Sequence, residues 1–321
     1  ELAERFGRTE EWIFERTGIE TRRVASEGES TVSLGTLASQ RALEAARVSP
    51  EDVDLVIVAT STPDYQMPSA ASLVQHRVGA RRAGAFDLNA ACSGFLYALA
   101  QAAALVDAGT VERIVVCGAD TLTHVTDRDD LGTSILFGDG AGAVVVEKAD
   151  GAPRLGPFKL LSDGDKAGLL YISPQEGVMK MRGREVYRHA VEGMTAAIRD
   201  ITVTAGLSID DVDAVVAHQA NARILEGVAS RLGMAEERVL SHIARFGNTS
   251  AASIPIELAY GAEGGALTEG SVVVITAFGA GFAWGAGVVR WGPVRAIGSA
   301  SASDDKLVSD RRPSRRTTEG G

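Results

Sequence analysis

The sequence predicts an α/β protein built from two related halves in a layered α/β/α/β/α arrangement, and three observations carry that expectation. First, short unbroken apolar runs such as "LVIVAT" (55–60) and "RIVVCG" (113–118) suit strands covered on both faces by helices. Second, these runs alternate with amphipathic segments of helical period, which favours mostly parallel order. Third, the chain resembles itself. "SPEDVDLVIVAT" (49–60) and "SIDDVDAVVAHQ" (208–219) each place a Ser, an acidic turn and Asp-Val-Asp before an apolar strand. "ERIVVCGADT" with "GDGAGAVVVEK" (112–148) parallels "GSVVVITAFGAG" with "FAWGAGVVRW" (270–291), each a buried strand, a glycine-rich turn and a second buried strand. The halves are expected at 1–150 and 151–292, with a site where they meet.

Bulk properties narrow the function classes. With 321 residues the chain is long enough for about two units of ~150 residues. No apolar run approaches the ~18 residues of a membrane span, and "ELAERFGRTEEW" is no secretory signal. Two cysteines are no disulfide framework and point to a reducing, cytoplasmic setting. A net charge of −10 argues against nonspecific nucleic-acid binding. Only five of the 32 basic residues are lysine, a bias better explained by genome composition than by function.

The chemistry begins at "NAACSGFLYAL" (89–99). "AGAFDLNA" (83–90) reads as a strand, and the run after Cys92 reads as a helix stopping at Gly109. Cys92 is therefore expected at a strand-to-helix junction, where the helix N-terminus lowers a thiol's pKa from ~8.5. The same stretch also fits a buried structural cysteine. Cys117, inside a strand, fits that plainer reading better. Of five histidines, His218 ends a strand, where sites gather in α/β sheets, although a lone histidine is as readily structural. Asn248, in "RFGNTSAASIPIELAY", either caps the helix after it or points its amide into the site. "FGAGFAWG" (278–285) is a small-residue turn able to present N–H groups to an oxyanion. "FGDGAGA" (137–143) lacks the lysine and helix of a phosphate loop. The cysteines and histidines show no metal-ligand spacing.

Together "AACSGF", "HQAN", "GNTSAAS", "FGDGAGA", "FGAGFAWG" and "EEWIFERTGIETRR" (10–23) resemble the β-ketoacyl-acyl-carrier-protein synthase III family of the thiolase fold, over about residues 1–291. The resemblance implies a homodimeric acyltransferase without cofactor that condenses an acyl-CoA with malonyl-acyl carrier protein in fatty-acid or polyketide synthesis. Cys92 would be the acylated nucleophile. His218 and Asn248 would hold the malonyl thioester carbonyl and its enolate, and the N–H groups of Cys92 and Ala280 would form a second oxyanion hole. Trp12, Arg16 and Thr17 would bind coenzyme A, with Leu131 standing where the family has an arginine partner for the adenine. Arg223, Arg188 and Arg184 would meet the carrier protein. Met67 would reach across the dimer into the partner's acyl pocket, admitting more than acetyl. The family's first strand has no match before Glu1. The polar tail 293–321 reads either as a disordered end behind a truncated start or, through "AIGSASASDDKLVSD" (296–310), as the source of that strand. Within the fold, the competing reading is an acyltransferase forming esters or amides.

Overall fold

The computed structural model describes residues 1–149, 151 and 154–298. Two short helices, α1 (Leu2–Arg5) and α2 (Glu10–Thr17), precede the long α3 (Thr31–Ala46). Then follow β1 (Leu55–Ala59), α4 (Ala70–Val78), β2 (Gly84–Leu88), α5 (Gly94–Asp107), β3 (Arg113–Thr121), α6 (Leu131–Ser134) and β4 (Asp139–Glu147). These strands form one sheet in the order β2-β1-β3-β4, parallel except for β4. The second set is β5 (Leu155–Ser162), β6 (Leu170–Ile172), β7 (Met179–Met181), α7 (Gly183–Thr204), β8 (Ala214–Ala217), α8 (Ala222–Leu232), β9 (Val239–Leu240), α9 (Ile243–Phe246), α10 (Ser253–Glu263), β10 (Val272–Gly279) and β11 (Ala283–Arg290). Its sheet runs β5-β11-β10-β8-β9, with β11 antiparallel to both neighbours, and β6 and β7 form a separate hairpin.

Alternation along the strands sorts the core into three layers, giving the expected α/β/α/β/α stack. Val56 and Val58 of β1 pack with α3 and α4 on one outer face. Ile57 and Ala59 turn inward and join α5, α10 and Ile275 of β10. Val215 and Val274 of the second sheet face α7 and α8 on the other outer side. A strand whose successive side chains enter two different cores must be apolar throughout, which is why "LVIVA" shows no polar alternation.

The sequence repeat has a physical cause. In each half the last Asp of Asp-Val-Asp ties two parallel strands together. Asp54 accepts from the N–H groups of Glu112 and Arg113 at 2.8 and 3.0 Å, and Asp213 accepts from Val272 N–H at 2.7 Å. Each also donates its own N–H to a carbonyl of the same neighbour, Arg113 or Val272. A one-turn 3₁₀ helix precedes each (Pro50–Asp52, Ile209–Asp211). The boundary expected at 150–151 falls beside residues outside the description, as does most of the tail segment 296–310.

The halves touch closely where β3 meets the turn before α10. A Cβ on Gly118 would lie 2.3 Å from the Ala251 carbonyl oxygen, so no side chain fits there. Gly118→Ala is expected to destabilise the protein by about 2–3 kcal/mol through overpacking, read from the urea unfolding midpoint at unchanged m-value.

Candidate active site

Cys92, His218 and Asn248 line one pocket of about 300 Å³. Cys92 sits in a one-turn 3₁₀ segment (Ala91–Ser93) between β2 and α5. Its predecessor Ala91 has a left-handed φ of 48°, which swings the chain from strand into helix. Ser93 locks the junction to the other half by donating to the Ala283 carbonyl at 2.7 Å. Behind the cysteine, a Cβ on Gly279 would lie 2.7 Å from Cys92 N. The end of β10 can therefore abut the nucleophile's backbone only as glycine, and this brings the next residue, Ala280, into the same pocket.

His218 follows β8 and is fully buried. In the repeat it is the counterpart of Ala59, which ends β1, whereas Cys92 follows β2. The two do not occupy equivalent strand ends of the repeat, but both stand at carboxyl ends of parallel strands. His218 Nδ1 lies 2.7 Å from Ser253 Oγ. That hydroxyl also reaches the Ser250 carbonyl at 2.9 Å and accepts from Gln219 N–H at 3.2 Å. It has one proton and two takers. Given to Ser250, it leaves Nδ1–H as donor and the Nε2 lone pair free. Given to His218, it puts the proton on Nε2. Burial lowers the His218 pKa to about 4, so the ring is neutral in either arrangement.

Asn248 does not cap the helix after it: neither the 3₁₀ turn Ser250–Ala252 nor α10 has a side-chain cap. Its Oδ1 instead accepts from Ser250 N–H, two residues on, at 3.0 Å. This fixes which end of the amide is spent and leaves Nδ2 for the pocket. Asn248 is held by Gly138 N–H and the Leu136 carbonyl on its backbone, both at 2.9 Å.

The thiol departs from the expectation of a lowered pKa. Burial pushes Cys92 up to about 11, and nearby Asp120 pushes the same way. The opposing contact is the Ser250 hydroxyl, 3.5 Å from Sγ. The chain alone therefore holds a neutral thiol. Cys117 is fully buried with its thiol pushed up to about 12, as its structural reading requires.

Two supporting residues escaped sequence reasoning. Ser250 has a left-handed φ of 52°, sparsely populated by non-glycine residues. In that conformation its N–H holds Asn248, its carbonyl takes the Ser253 hydroxyl and its own hydroxyl faces Cys92. Asp120, fully buried at the end of β3, accepts from Thr60 Oγ1, Ser61 N–H, Thr62 N–H and Thr62 Oγ1 at 2.7–3.2 Å. Its other oxygen receives Ala251 N–H at 3.3 Å. The only sequence signal was that "GADT" and "GNTS" are polar patches inside apolar surroundings.

The pocket wall is apolar, with Leu122, Phe137, Met179, Met194, Ile224 and Phe278, and the β6–β7 hairpin supplies part of it. Arg16 and Asn221 reach its lining. Thr17 lines it too, but its buried hydroxyl donates to the Ile13 carbonyl at 2.8 Å and accepts from Ile19 N–H. That hydroxyl is spent within the fold, contrary to a nucleotide-binding role for it. Trp12 does not line the pocket. Its ring is covered by the guanidinium groups of Arg16 at 3.9 Å and Arg8 at 4.9 Å, and it packs, as Leu131 does, against the cluster of Ala3, Ile13 and Ile135. Arg184 and Arg188 are exposed on one face of the first turns of α7. Exposed Arg223 donates to the Glu15 carbonyl at 2.9 Å, joining α8 to α2. Met67 is 86% exposed and is not brought to Cys92 within this chain.

Comparison with known proteins agrees with this geometry. Residues 86–164 match the family 3-oxoacyl-[acyl-carrier-protein (ACP)] synthase III and residues 203–291 its C-terminal family. The chain is 44% identical over 300 residues to the beta-ketoacyl-[acyl-carrier-protein] synthase III of Erythrobacter litoralis, covering 91% of this chain and 94% of that one. The chain belongs to the synthase III family. The 3-oxoacyl-[acyl-carrier-protein] synthase III of Aquifex aeolicus superposes with a TM-score of 0.87 at 40% identity, over 89% of this chain and 92% of that one. The priming β-ketosynthase of the R1128 polyketide pathway does so with 0.85 at 38%, over 91% and 90%. Among the described residues no helix is long and apolar enough to cross a membrane.

The state of the thiol has a direct readout. Iodoacetamide alkylation of Cys92, followed by intact mass against a Cys92→Ala blank, is expected to accelerate about tenfold per pH unit from pH 7 to 10. Ser250→Ala removes the hydroxyl that favours the thiolate and is expected to slow alkylation several-fold at pH 8. A rate that levels off at or below pH 8 would contradict a thiol held near 11.

Proposed function

We propose that this protein catalyses decarboxylative condensation of an acyl-CoA starter with malonyl-acyl carrier protein through an acyl-Cys92 intermediate. The observation that carries this reading is the convergence of Cys92, His218 and Asn248 on one apolar pocket, with Gly279 pressed against the Cys92 backbone.

Cys92 Sγ attacks the acyl-CoA carbonyl. The C–S bond to the enzyme forms, the bond to coenzyme A breaks, and the thiol proton ends on the departing coenzyme A. The tetrahedral oxyanion is met by the N–H groups of Cys92 and Ala280, donors fixed in place before the charge develops. With the acyl group on Cys92, the malonyl thioester enters beside it. Asn248 Nδ2 and His218 Nε2–H, in the arrangement where Ser253 gives its proton to Nδ1, bind the thioester carbonyl. Loss of CO₂ leaves its electron pair as an enolate stabilised by those two donors. The enolate carbon attacks the acyl carbonyl, and the Cys92 thiolate leaves. A neutral His218 matters here, because the site must bind a carbonyl in the ground state and favour charge only in the transition state.

The substrates enter from the side of Arg16 and Asn221, and the exposed Arg184, Arg188 and Arg223 form the local basic patch that an acidic carrier protein requires on an acidic enzyme. The halves 1–150 and 151–292 contribute the cysteine and the His/Asn pair respectively. The working form is a cytoplasmic homodimer in which exposed Met67 meets the partner's acyl pocket, and no cofactor takes part.

Intact mass spectrometry with an acyl-CoA panel tests the chemistry. Wild type is expected to gain one acyl group that Cys92→Ala does not, and malonyl-carrier protein is expected to discharge it with release of CO₂. Asn248→Ala is expected to acylate normally and lose at least ~100-fold in decarboxylation. Discharge only by an alcohol or amine would reassign the protein to ester- or amide-forming acyltransferases. A second test addresses the patch. The double variant Arg184→Glu, Arg188→Glu is expected to raise KM for carrier protein about tenfold or more with kcat and KM for acyl-CoA unchanged, and to flatten its salt dependence.

A further inference from the structure

Asn248 forms a short parallel bridge with Phe137. Its N–H donates to the Leu136 carbonyl and its carbonyl accepts from Gly138 N–H, both at 2.9 Å. The bridge lies outside the strands named above, so its stiffness must come from elsewhere. Residues 20–25, the segment after α2, cross both of its sides. On the Asn248 side, the N–H groups of Glu20 and Thr21 both donate to the Ala244 carbonyl at 2.9 Å, and the Thr21 hydroxyl donates to the Arg245 carbonyl at 2.8 Å. On the Gly138 side, the Arg23 carbonyl accepts from Asp139 N–H and Ala25 N–H donates to the Asp139 carboxylate, both at 2.8 Å.

Arg22 is at the middle of this segment. A Cβ on Gly138 would lie 3.2 Å from Arg22 Cβ, and one on Gly247 would lie 3.5 Å from it. The arginine stem is therefore seated against one glycine from each side of the bridge, Gly138 beside Phe137 and Gly247 beside Asn248. Its Nη1 then donates to the Ser134 carbonyl at 3.2 Å. That carbonyl ends α6, two residues before Leu136, and belongs to the set a helix end leaves without intrahelical partners. Burial lowers the Arg22 pKa, and among the described residues no ion pair with a carboxylate offsets that cost. A half-buried charge kept without an ion partner opposes stability, so its placement points to the site beside it.

We propose that Arg22 is a positioning residue for decarboxylation, its stem and its bond to Ser134 holding residues 134–138 and the Asn248 loop at the separation that aims the Asn248 amide. This rests on the condensing role proposed above for Asn248. Cys92 is fixed by other contacts, the Ser93 bond to Ala283 and the approach of Gly279. Arg22 therefore bears on the malonyl step and not on acylation of Cys92. Misplacing a catalytic group by ~1 Å can cost ~100-fold, so a loosened bridge is felt in kcat.

Two readouts on Arg22→Ala test this. In amide hydrogen exchange, Gly138 and Asn248 are expected to exchange at least ~10-fold faster than in wild type, with Ala251, held by Asp120, unchanged. In step-resolved kinetics, decarboxylation of malonyl-carrier protein is expected to slow about tenfold or more in kcat, with its KM and the rate of Cys92 acylation unchanged. Arg22→Lys, which keeps a stem and a cationic donor, is expected to recover most of both. In an Asn248→Ala background, Arg22→Ala is expected to add less than about twofold, because the group it positions is gone. A full further loss there, or an equal slowing of acylation, makes Arg22 a general structural residue and overturns the proposal. Unchanged exchange at Gly138 and Asn248 overturns it as well. Where Arg22→Ala does not fold, Arg22→Met keeps a stem, drops the bond to Ser134 and is expected to show the same changes at about threefold. A wild-type protein that never decarboxylates malonyl-carrier protein overturns the functional reading and this role with it, and is told apart from failure of the clamp because exchange at Gly138 still responds to Arg22.

Discussion

The site depends on one close contact, the seating of the Ser250–Ala252 turn on strand β3. Gly118 leaves the room, and the Ala251 carbonyl occupies it. Asp120, two residues along the same strand, takes the Ala251 N–H. This docks a loop of the second half against a strand of the first at the point where the catalytic groups must meet. It acts with the Ser93–Ala283 bond, the approach of Gly279 to Cys92, and the bonds of Asn248 to Leu136 and Gly138 to fix the separation of Cys92 from His218 and Asn248. A buried carboxylate that accepts five bonds is costly to leave short of any of them, so the turn has little freedom to shift.

That seating also explains the left-handed Ser250. Its unfavourable φ places three polar groups of one residue in three directions, toward Asn248, toward Ser253 and His218, and toward Cys92. Such conformations persist only where surrounding structure over-determines them. Here Asp120 and Gly118 do so from below. The consequence for reactivity is a compromise between burial and contact. The dry pocket raises the thiol, and the Ser250 hydroxyl partly offsets it. The result is a nucleophile that stays protonated in the free chain and suits a site where acylation transfers its proton to the leaving thiol.

Much of this was legible in the sequence, for identifiable reasons. Strands buried on both faces must be uniformly apolar, so "LVIVAT" and "RIVVCG" announced the layered sheet. Asp54 and Asp213 repeat because both perform the same strand-tying task. Residue type and position left Cys92, His218 and Asn248 each a structural alternative, and it was the resemblance of "AACSGF", "HQAN" and "GNTSAAS" to the synthase III family that singled them out. What stayed hidden depended on tertiary environment. The thiol's pKa reflects how deeply the pocket is closed by the other half, which local sequence cannot report. Thr17 has a matching motif position, yet its hydroxyl is consumed by Ile13 and Ile19 within two turns of chain. Trp12 similarly keeps its motif place while Arg16 and Arg8 cover its ring. Ser250 and Ser253 are ordinary serines until the fold assigns them partners.

Strand β4 carries a second anchor of the site. Asp139, at the start of β4, accepts from Ala25 N–H, Thr123 N–H and the Thr123 hydroxyl at 2.6–2.9 Å, which anchors the segment after α2 to β4. The adjacent Gly138 bonds Asn248. Strand β4 is thus one step from Asn248, and its seating, carried through Gly138, sets the backbone from which the Asn248 amide projects into the pocket.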